Sequence, residues 1–191
     1  MKLPYKGKVR MTKLYGTLPP KGYTYATGKH GGIDLVGVED KTIYAIAGGS
    51  VIRANFDPTG WGNYVVIRQE DGYYCIYAHL AKISVKLREK VDAGQEIGIE
   101  GATGNVTGSH LHLELRKEYG DRYSTMNPAN YLGIKDEVGV LEMENANKPS
   151  DWAKEAWEWA REKGLLDGTR PQEGITREEL AAILQRLIAL R

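Results

Sequence analysis

Seven residues, Ser109-His110-Leu111-His112-Leu113-Glu114-Leu115, alternate polar and apolar without a break, and no other stretch of this chain restricts its fold so tightly. A period of two is that of a β-strand with one face in a core. Leu111, Leu113 and Leu115 then point inward, and His110, His112 and Glu114 project together from the opposite face. At about 3.3 Å of rise per residue, the two imidazoles lie about 7 Å apart along that face. This spacing suits a metal ligand beside a proton-transfer group. The chain has four histidines, so half of its imidazole chemistry sits on this strand.

The sequence before it supplies partners for such a strand. Residues 1–133 are rich in Gly, Tyr, Val and Ile and are broken by frequent turn signals, an all-β composition. Residues 8–15 alternate and form the predicted first strand, and residues 16–28, with Pro19-Pro20, form a loop. Residues 42–46 and 50–54 read as two strands about the Gly48-Gly49 turn. Residues 63–69 and 73–77 flank Glu70-Asp71-Gly72, and Asp-Gly between β-rich runs is a strong hairpin signal. Short pieces over 91–101 and a polar loop over 101–108 lead into the histidine strand. Many glycines in strand contexts predict bulges and close backbone approach, hence a strongly curved antiparallel sheet.

A formal charge of +1 provides no long-range field to attract nucleic acid or an anionic membrane. The basic residues near the start (Lys2, Lys6, Lys8, Arg10, Lys13) read as a solvated edge. Cys75 is alone, which excludes a disulfide framework and a thiolate metal cluster. Within the apolar run 73–77 it reads as a small core residue, not a nucleophile. Residues 1–15 lack the apolar core and cleavage site of a secretory leader, and no apolar run is long enough to span a membrane. Synthesis in the cytoplasm is the expectation.

Composition changes after Tyr131. Residues 135–149 are polar and acidic and read as a linker between a domain over 1–134 and a helical unit over 150–191. Ser150 is a good N-cap, and Trp152, Ala156, Trp159 and Ala160 make a helical apolar stripe. Thr176 and Glu179 form a capping box, Ile175 and Leu180 a hydrophobic staple, and Leu180, Ile183, Leu184, Leu187 and Ile188 one apolar face. Such a unit has little core of its own and is expected to pack on the β domain, on a copy of itself, or on both. The predicted fold class is therefore mostly β, a curved antiparallel sheet followed by a small two-helix unit.

His30-Gly31-Gly32-Ile33-Asp34 offers the second half of a metal site. In a helix positions i and i+4 share a face, but two adjacent glycines oppose a helix here. A loop or bulged strand is the expected way to bring His30 and Asp34 onto one centre. The combination of this pair with the later histidine strand, in this order, is far more specific than either alone.

With these motifs the chain resembles the lysostaphin/LytM-type peptidoglycan metalloendopeptidases, from about residue 6 to residue 132. The resemblance includes His30-Gly31-Gly32-Ile33-Asp34-Leu35, Ala47-Gly48-Gly49-Ser50-Val51, Gly60-Trp61-Gly62-Asn63-Tyr64-Val65-Val66-Ile67 and Ile76-Tyr77-Ala78-His79-Leu80. It continues through Val91-Asp92-Ala93-Gly94-Gln95-Glu96-Ile97-Gly98, Gly101-Ala102-Thr103-Gly104 and Thr107-Gly108-Ser109-His110-Leu111-His112-Leu113-Glu114. It ends with Asn127-Pro128-Ala129-Asn130-Tyr131-Leu132. Arg68-Gln69 stand where the family commonly has a histidine.

The resemblance implies one catalytic Zn²⁺ held by His30, Asp34 and His112, with His79 and His110 as non-ligating histidines at the catalytic centre. Two imidazoles and one carboxylate leave a fourth zinc position for water, as in hydrolytic sites. His110 is the candidate general base, and His79, expected on the loop after the hairpin, the candidate to bind the oxyanion or orient the water, with exchange of the two roles left open. Since three ligands complete the set, Glu114 is expected to be solvated or at the rim of the substrate groove. Asn63, Tyr23 and Tyr25 are groove candidates.

At the C-terminal end, Asp151-Trp152-Ala153, Gly164-Leu165-Leu166-Asp167-Gly168 and Ile175-Thr176-Arg177-Glu178-Glu179-Leu180 resemble one S-layer-homology repeat. That resemblance implies binding to a secondary cell-wall polymer. Such repeats act in threes, so a packing role, with a homodimer or higher oligomer, stands beside it. The resulting expectation is a zinc-dependent endopeptidase that hydrolyses peptide bonds in peptidoglycan stems or cross-bridges. It would be a phage or prophage endolysin acting on the bacterial cell wall after release. The alternative is a catalytically inactive relative that binds wall or regulates another hydrolase.

Overall fold

The strand that carries His112 lies in the middle of the sheet that the glycine-rich sequence builds around it. The computed structural model describes residues 2–22, 24–142, 159 and 162. The chain divides into two units, Met1–Glu144 and Asn145–Arg191. Of the second, Trp159 and Glu162 are described and are helical. The rest of the expected two-helix unit, including the S-layer-homology-like segments, lies outside the described residues.

The first unit is an antiparallel sheet of eleven strands among the described residues. They are β1 (Lys8–Lys13), β2 (Ile33–Gly37), β3 (Thr42–Tyr44), β4 (Gly49–Asp57), β5 (Gly62–Gln69) and β6 (Tyr74–Ile83). There follow β7 (Lys90–Val91), β8 (Glu96–Glu100), β9 (Leu111–Arg116), β10 (Thr125–Met126), the helix α1 (Pro128–Leu132) and β11 (Gly139–Glu142). The main path is β11-β1-β2-β9-β6-β5-β4-β7, with β3, β8 and β10 off it. No helix among the described residues is long and apolar enough to cross a membrane.

The apolar half of the alternation does what its period requires. Ile33 pairs with Leu113 and Leu35 with Leu111 across β2 and β9, while Tyr77 and Cys75 of β6 pair with Leu113 and Leu115. All of these side chains are fully buried. Cys75 is thus a core residue, its thiol pKa pushed well up by burial. The Asp71-Gly72 hairpin also forms, with Arg68 opposite Tyr74 and the Gly72 amide donating to Gln69 O.

Four expectations are corrected. First, β9 is buried on both faces, not half-buried: His112, Glu114 and Arg116 are all under a tenth exposed. Its polar side chains pair with one another, which lets them leave water without leaving charge unmatched. Secondly, β3 and β4 do not pair with each other about Gly48-Gly49. β3 pairs with β8, and β4 with β5 and β7, because Ala45 exchanges backbone hydrogen bonds with Gly94 and Gln95 instead. Thirdly, residues 139–142, placed by composition in a linker, form β11 against β1, with Leu141 opposite Val9. Fourthly, His79 does not lie on a loop after the hairpin. It lies inside β6, where that strand leaves β9 (Ala78 opposite His112) and joins β8 (Leu80 opposite Glu100).

Gly32 is where the sheet depends on the absence of a side chain. A Cβ there would lie 2.2 Å from Leu113 O and 3.0 Å from His112 Cε1. The chain therefore enters β2 in direct backbone contact with the histidine strand. Gly32→Ala is expected to destabilise the domain by about 1–3 kcal/mol, the usual range for overpacking a close contact. Denaturant unfolding measures it, and an unchanged midpoint would contradict the contact.

Candidate metal centre

Asp34 of β2 stands directly opposite His112 of β9, so the sheet register places both side chains on one face. His30 precedes β2, and the Gly31-Gly32 step folds it back over the same spot, as the sequence led one to expect. The three ligand-capable atoms form a nearly equilateral triangle. His30 Nε2 lies 3.0 Å from His112 Nδ1 and 3.0 Å from Asp34 Oδ1, and His112 Nδ1 lies 2.9 Å from Asp34 Oδ1. All three residues are buried.

The outward atoms of the triangle determine what its inward atoms can be. His30 Nδ1 is 2.9 Å from Leu14 O. A carbonyl only accepts, so Nδ1 carries the proton and Nε2 of neutral His30 is a bare lone pair. His112 Nε2 faces Glu114 Oε2 at 3.3 Å, and by the same logic its Nδ1 is bare when the ring is neutral. Two lone pairs and a carboxylate oxygen thus converge within 3.0 Å, an arrangement that repels itself unless a cation lies among them. The donor set fits zinc: atoms with these separations can all lie about 2.0–2.2 Å from one point. Lys13 Nζ, 3.6 Å from Asp34 Oδ2, occupies the other carboxylate oxygen and leaves Oδ1 to the triangle.

Without a metal the cation is a proton. Burial disfavours charge on His112, but the hydrogen bonds and negative charges of Asp34 and Glu114 outweigh it and push its pKa up to about 9. Burial likewise opposes charge on Asp34, yet hydrogen bonds from His112 and His30 hold its carboxyl well below the usual range. His112 therefore contributes stability to the metal-free fold fully below its unfolded value near 6.5, and that contribution fades as pH rises through about 9. Thermal unfolding of chelated protein should show a falling Tm over this window, and a flat profile would contradict the charge state. Zinc must displace that proton, so its affinity should rise over the same pH range.

Glu114 corrects a sequence expectation. It is 4% exposed, not solvated, and is held between His112 Nε2 and the guanidinium Nε of Arg116. Burial opposes its charge, while His112 and then Arg116 keep its pKa down. Arg116 in turn donates to Tyr119 O at 3.1 Å and lies over the Trp61 ring.

The other two histidines face each other beside the triangle, ring centroids 4.8 Å apart. His110, just before β9, has Nε2 3.8 Å from Asp34 Oδ1, and its Nδ1 lies 2.9 Å from Gly108 O. His79 has Nδ1 3.0 Å from Thr103 O, and its ring centroid is 5.9 Å from that of His112. Each therefore carries its proton on Nδ1 and presents Nε2 as an acceptor. His79 adopts φ 67°, a rarely populated region for a residue with a side chain, at the bend where β6 changes partners. Burial, and then the charges of His112 and His110, push its pKa down to about 4.

All five residues singled out from the sequence are thus in one place. Of the groove candidates, the Tyr25 ring lies 5.5 Å from that of His30. Asn63 instead donates to Leu80 O at 3.0 Å, bracing the strand beyond His79. Tyr23 lies outside the described residues. Sequence reasoning missed Leu14, Gly108 and Thr103, whose carbonyls fix three imidazoles; a backbone acceptor carries no residue signature. It also missed Arg116, whose place two residues after Glu114 on the same strand face was a usable signal.

The chain is similar to known proteins in sequence and in fold. The sequence model of peptidase family M23 matches residues 28–128, over half of the chain. Peptidoglycan DD-endopeptidase ShyA of Vibrio cholerae is 38% identical over 112 residues, 59% of this chain and 26% of its own length. Murein hydrolase activator NlpD of Escherichia coli is 35% identical over 105 residues, 55% of this chain and 26% of its own. The chain thus spans about a quarter of the length of these curated relatives. Among solved structures, the catalytic domain of the antimicrobial peptidase lysostaphin from Staphylococcus simulans superposes with a TM-score of 0.59 at 29% identity. That alignment covers 65% of this chain and 92% of lysostaphin's domain.

Proposed function

The chain belongs to peptidase family M23, and from that premise we propose that it is a zinc-dependent endopeptidase acting on the peptide part of peptidoglycan. The observation that carries the proposal is the triangle of acceptors at His30, Asp34 and His112, whose outward nitrogens are already committed to Leu14 and Glu114. These three residues would hold the ion. When bound, zinc supplies an activated water and a polarised scissile carbonyl.

The chain's own histidines move the proton. His110 takes it at Nε2, its ring held by the Nδ1–H to Gly108 O, and returns it to the leaving amine. His79 is the more buried of the two and resists charge, so its Nε2 accepts a hydrogen bond and orients the attacking water. Glu114 fixes the His112 ring, the usual office of a carboxylate behind a metal-binding imidazole. Glu114→Gln is therefore expected to lower zinc affinity about 10–100-fold. Competition against a fluorescent chelator measures it, and unchanged affinity would contradict the assignment.

Similarity to ShyA, named for peptidoglycan endopeptidase activity, supports the substrate class. Similarity to lysostaphin's domain, an antimicrobial peptidase, supports the narrower proposal of a wall-lysing enzyme such as an endolysin. Clearing of intact cells by added protein tests that role. Wall pull-down and light scattering, with and without residues 150–191, test polymer binding and self-association by that unit.

The second reading makes the chain an activator of another hydrolase, the role named for NlpD. Cross-linked muropeptides separate the two. The enzyme splits them with no other protein present, whereas an activator leaves them intact and raises turnover by an added hydrolase.

A further inference from the structure

We propose that Glu100 is a positioning residue for His110, acting through the Ser109 hydroxyl. Glu100 ends β8 and is 4% exposed, yet its carboxylate accepts four hydrogen bonds from three stretches of the chain. Oε2 takes the Tyr5 hydroxyl and the Gly37 amide, each at 2.7 Å. Oε1 takes Lys41 Nζ and Ser109 Oγ, again at 2.7 Å each. Burying a carboxylate is costly, and fold stability alone is served as well or better by an apolar side chain. Something besides stability is the reason to keep it.

Its location supplies that reason. Glu100 stands opposite Leu80, the residue after His79. The next residue, Gly101, accepts the His110 amide at 3.0 Å. A Cβ on Gly101 would lie 2.3 Å from Ala81 N, so the backbones touch here. The Glu100-Gly101 step therefore lies between the backbones of the two histidines that face each other over the triangle.

Residues 107–109 are exposed, and the Ser109 hydroxyl pins this stretch to the buried carboxylate. Ser109 sits between Gly108, whose carbonyl sets the His110 tautomer, and His110 itself. A slack Ser109 displaces both the ring and the acceptor that orients it. Tyr5, Gly37 and Lys41 still satisfy the carboxylate when Ser109 is lost, so the tether can be cut without stranding a buried charge.

The inference rests on the reading of His110 as the proton-transfer group. It is tested on the zinc-loaded full chain with Ser109→Ala and the conservative Ser109→Thr, following kcat, KM, zinc content and the ring ¹⁵N signals of His110. Ser109→Ala should lower kcat about 10-fold, short of the ~10²-fold that a 1 Å misplacement can cost. KM and zinc content should hold, and the His110 ring should show both tautomers. Ser109→Thr, which keeps the hydroxyl, should behave as wild type. The proposal is overturned if Ser109→Ala keeps kcat within about twofold. It is equally overturned if Ser109→Thr falls as far as Ser109→Ala, or if activity falls only in step with zinc content. A wild type without peptidase activity removes the functional reading instead. The ring signals then decide the tether alone: a single tautomer in both proteins overturns it.

Discussion

His112→Ala is expected to take zinc content from near-stoichiometric to undetectable and to abolish peptide-bond hydrolysis with it. His112 supplies one corner of the triangle through Nδ1 and holds Glu114 through Nε2. Removing the ring leaves two donors and sets two buried carboxylates, Asp34 and Glu114, near each other without the imidazole that joined them. The loss can be read without any substrate. A ligand present at 100 times its dissociation constant stabilises a fold by about 2.7 kcal/mol, and the wild type should show that gain with zinc. The variant should show none. A zinc-dependent rise in Tm that survives in His112→Ala would place the metal elsewhere.

His110→Ala should separate proton transfer from metal binding. Removing a general base costs about 10²–10⁴-fold in rate, and that loss is expected in kcat while zinc content and the zinc-dependent rise in Tm stay at wild-type levels. His110 is 3.8 Å from Asp34 Oδ1 and is not a corner of the triangle. Metal loss in this variant would make His110 a ligand and overturn its role as base. His79→Ala should also keep the metal, with the smaller fall in kcat. If its fall is the larger, the two histidines exchange roles.

Much of this centre is legible in the chain before it folds, for a definite reason. A strand with one apolar face has a period of two, so residues 109–115 place His110 and His112 on one side with no further information. Two glycines beside His30 likewise announce a close approach, and Gly32 lies against Leu113 O. What periodicity cannot report is what covers the other face. Glu114 reads as solvated or rim-lining because three ligands already complete the metal set, but in the interior it is matched by His112 and Arg116. Nor does it report a change of partner along one strand. β6 keeps a continuous pattern through residue 79 while moving from β9 to β8, and the His79 backbone takes up the bend. β11 escaped because its four residues follow an acidic, loop-like stretch, and only its pairing with β1 makes it a strand. Glu100 escaped because a buried carboxylate whose four donors lie elsewhere in the chain looks, in sequence, like any polar strand end.

A metal at His30, Asp34 and His112 is expected to make this chain a peptidase of the cell wall. Purified peptidoglycan should be digested with protein as prepared, with chelated protein, and with chelated protein restored by zinc, and the new chain ends identified. The expectation is new amino termini and no new reducing sugar ends, their loss on chelation, and their return with zinc. Cleavage that persists after complete chelation, or new ends that are sugars, would contradict it.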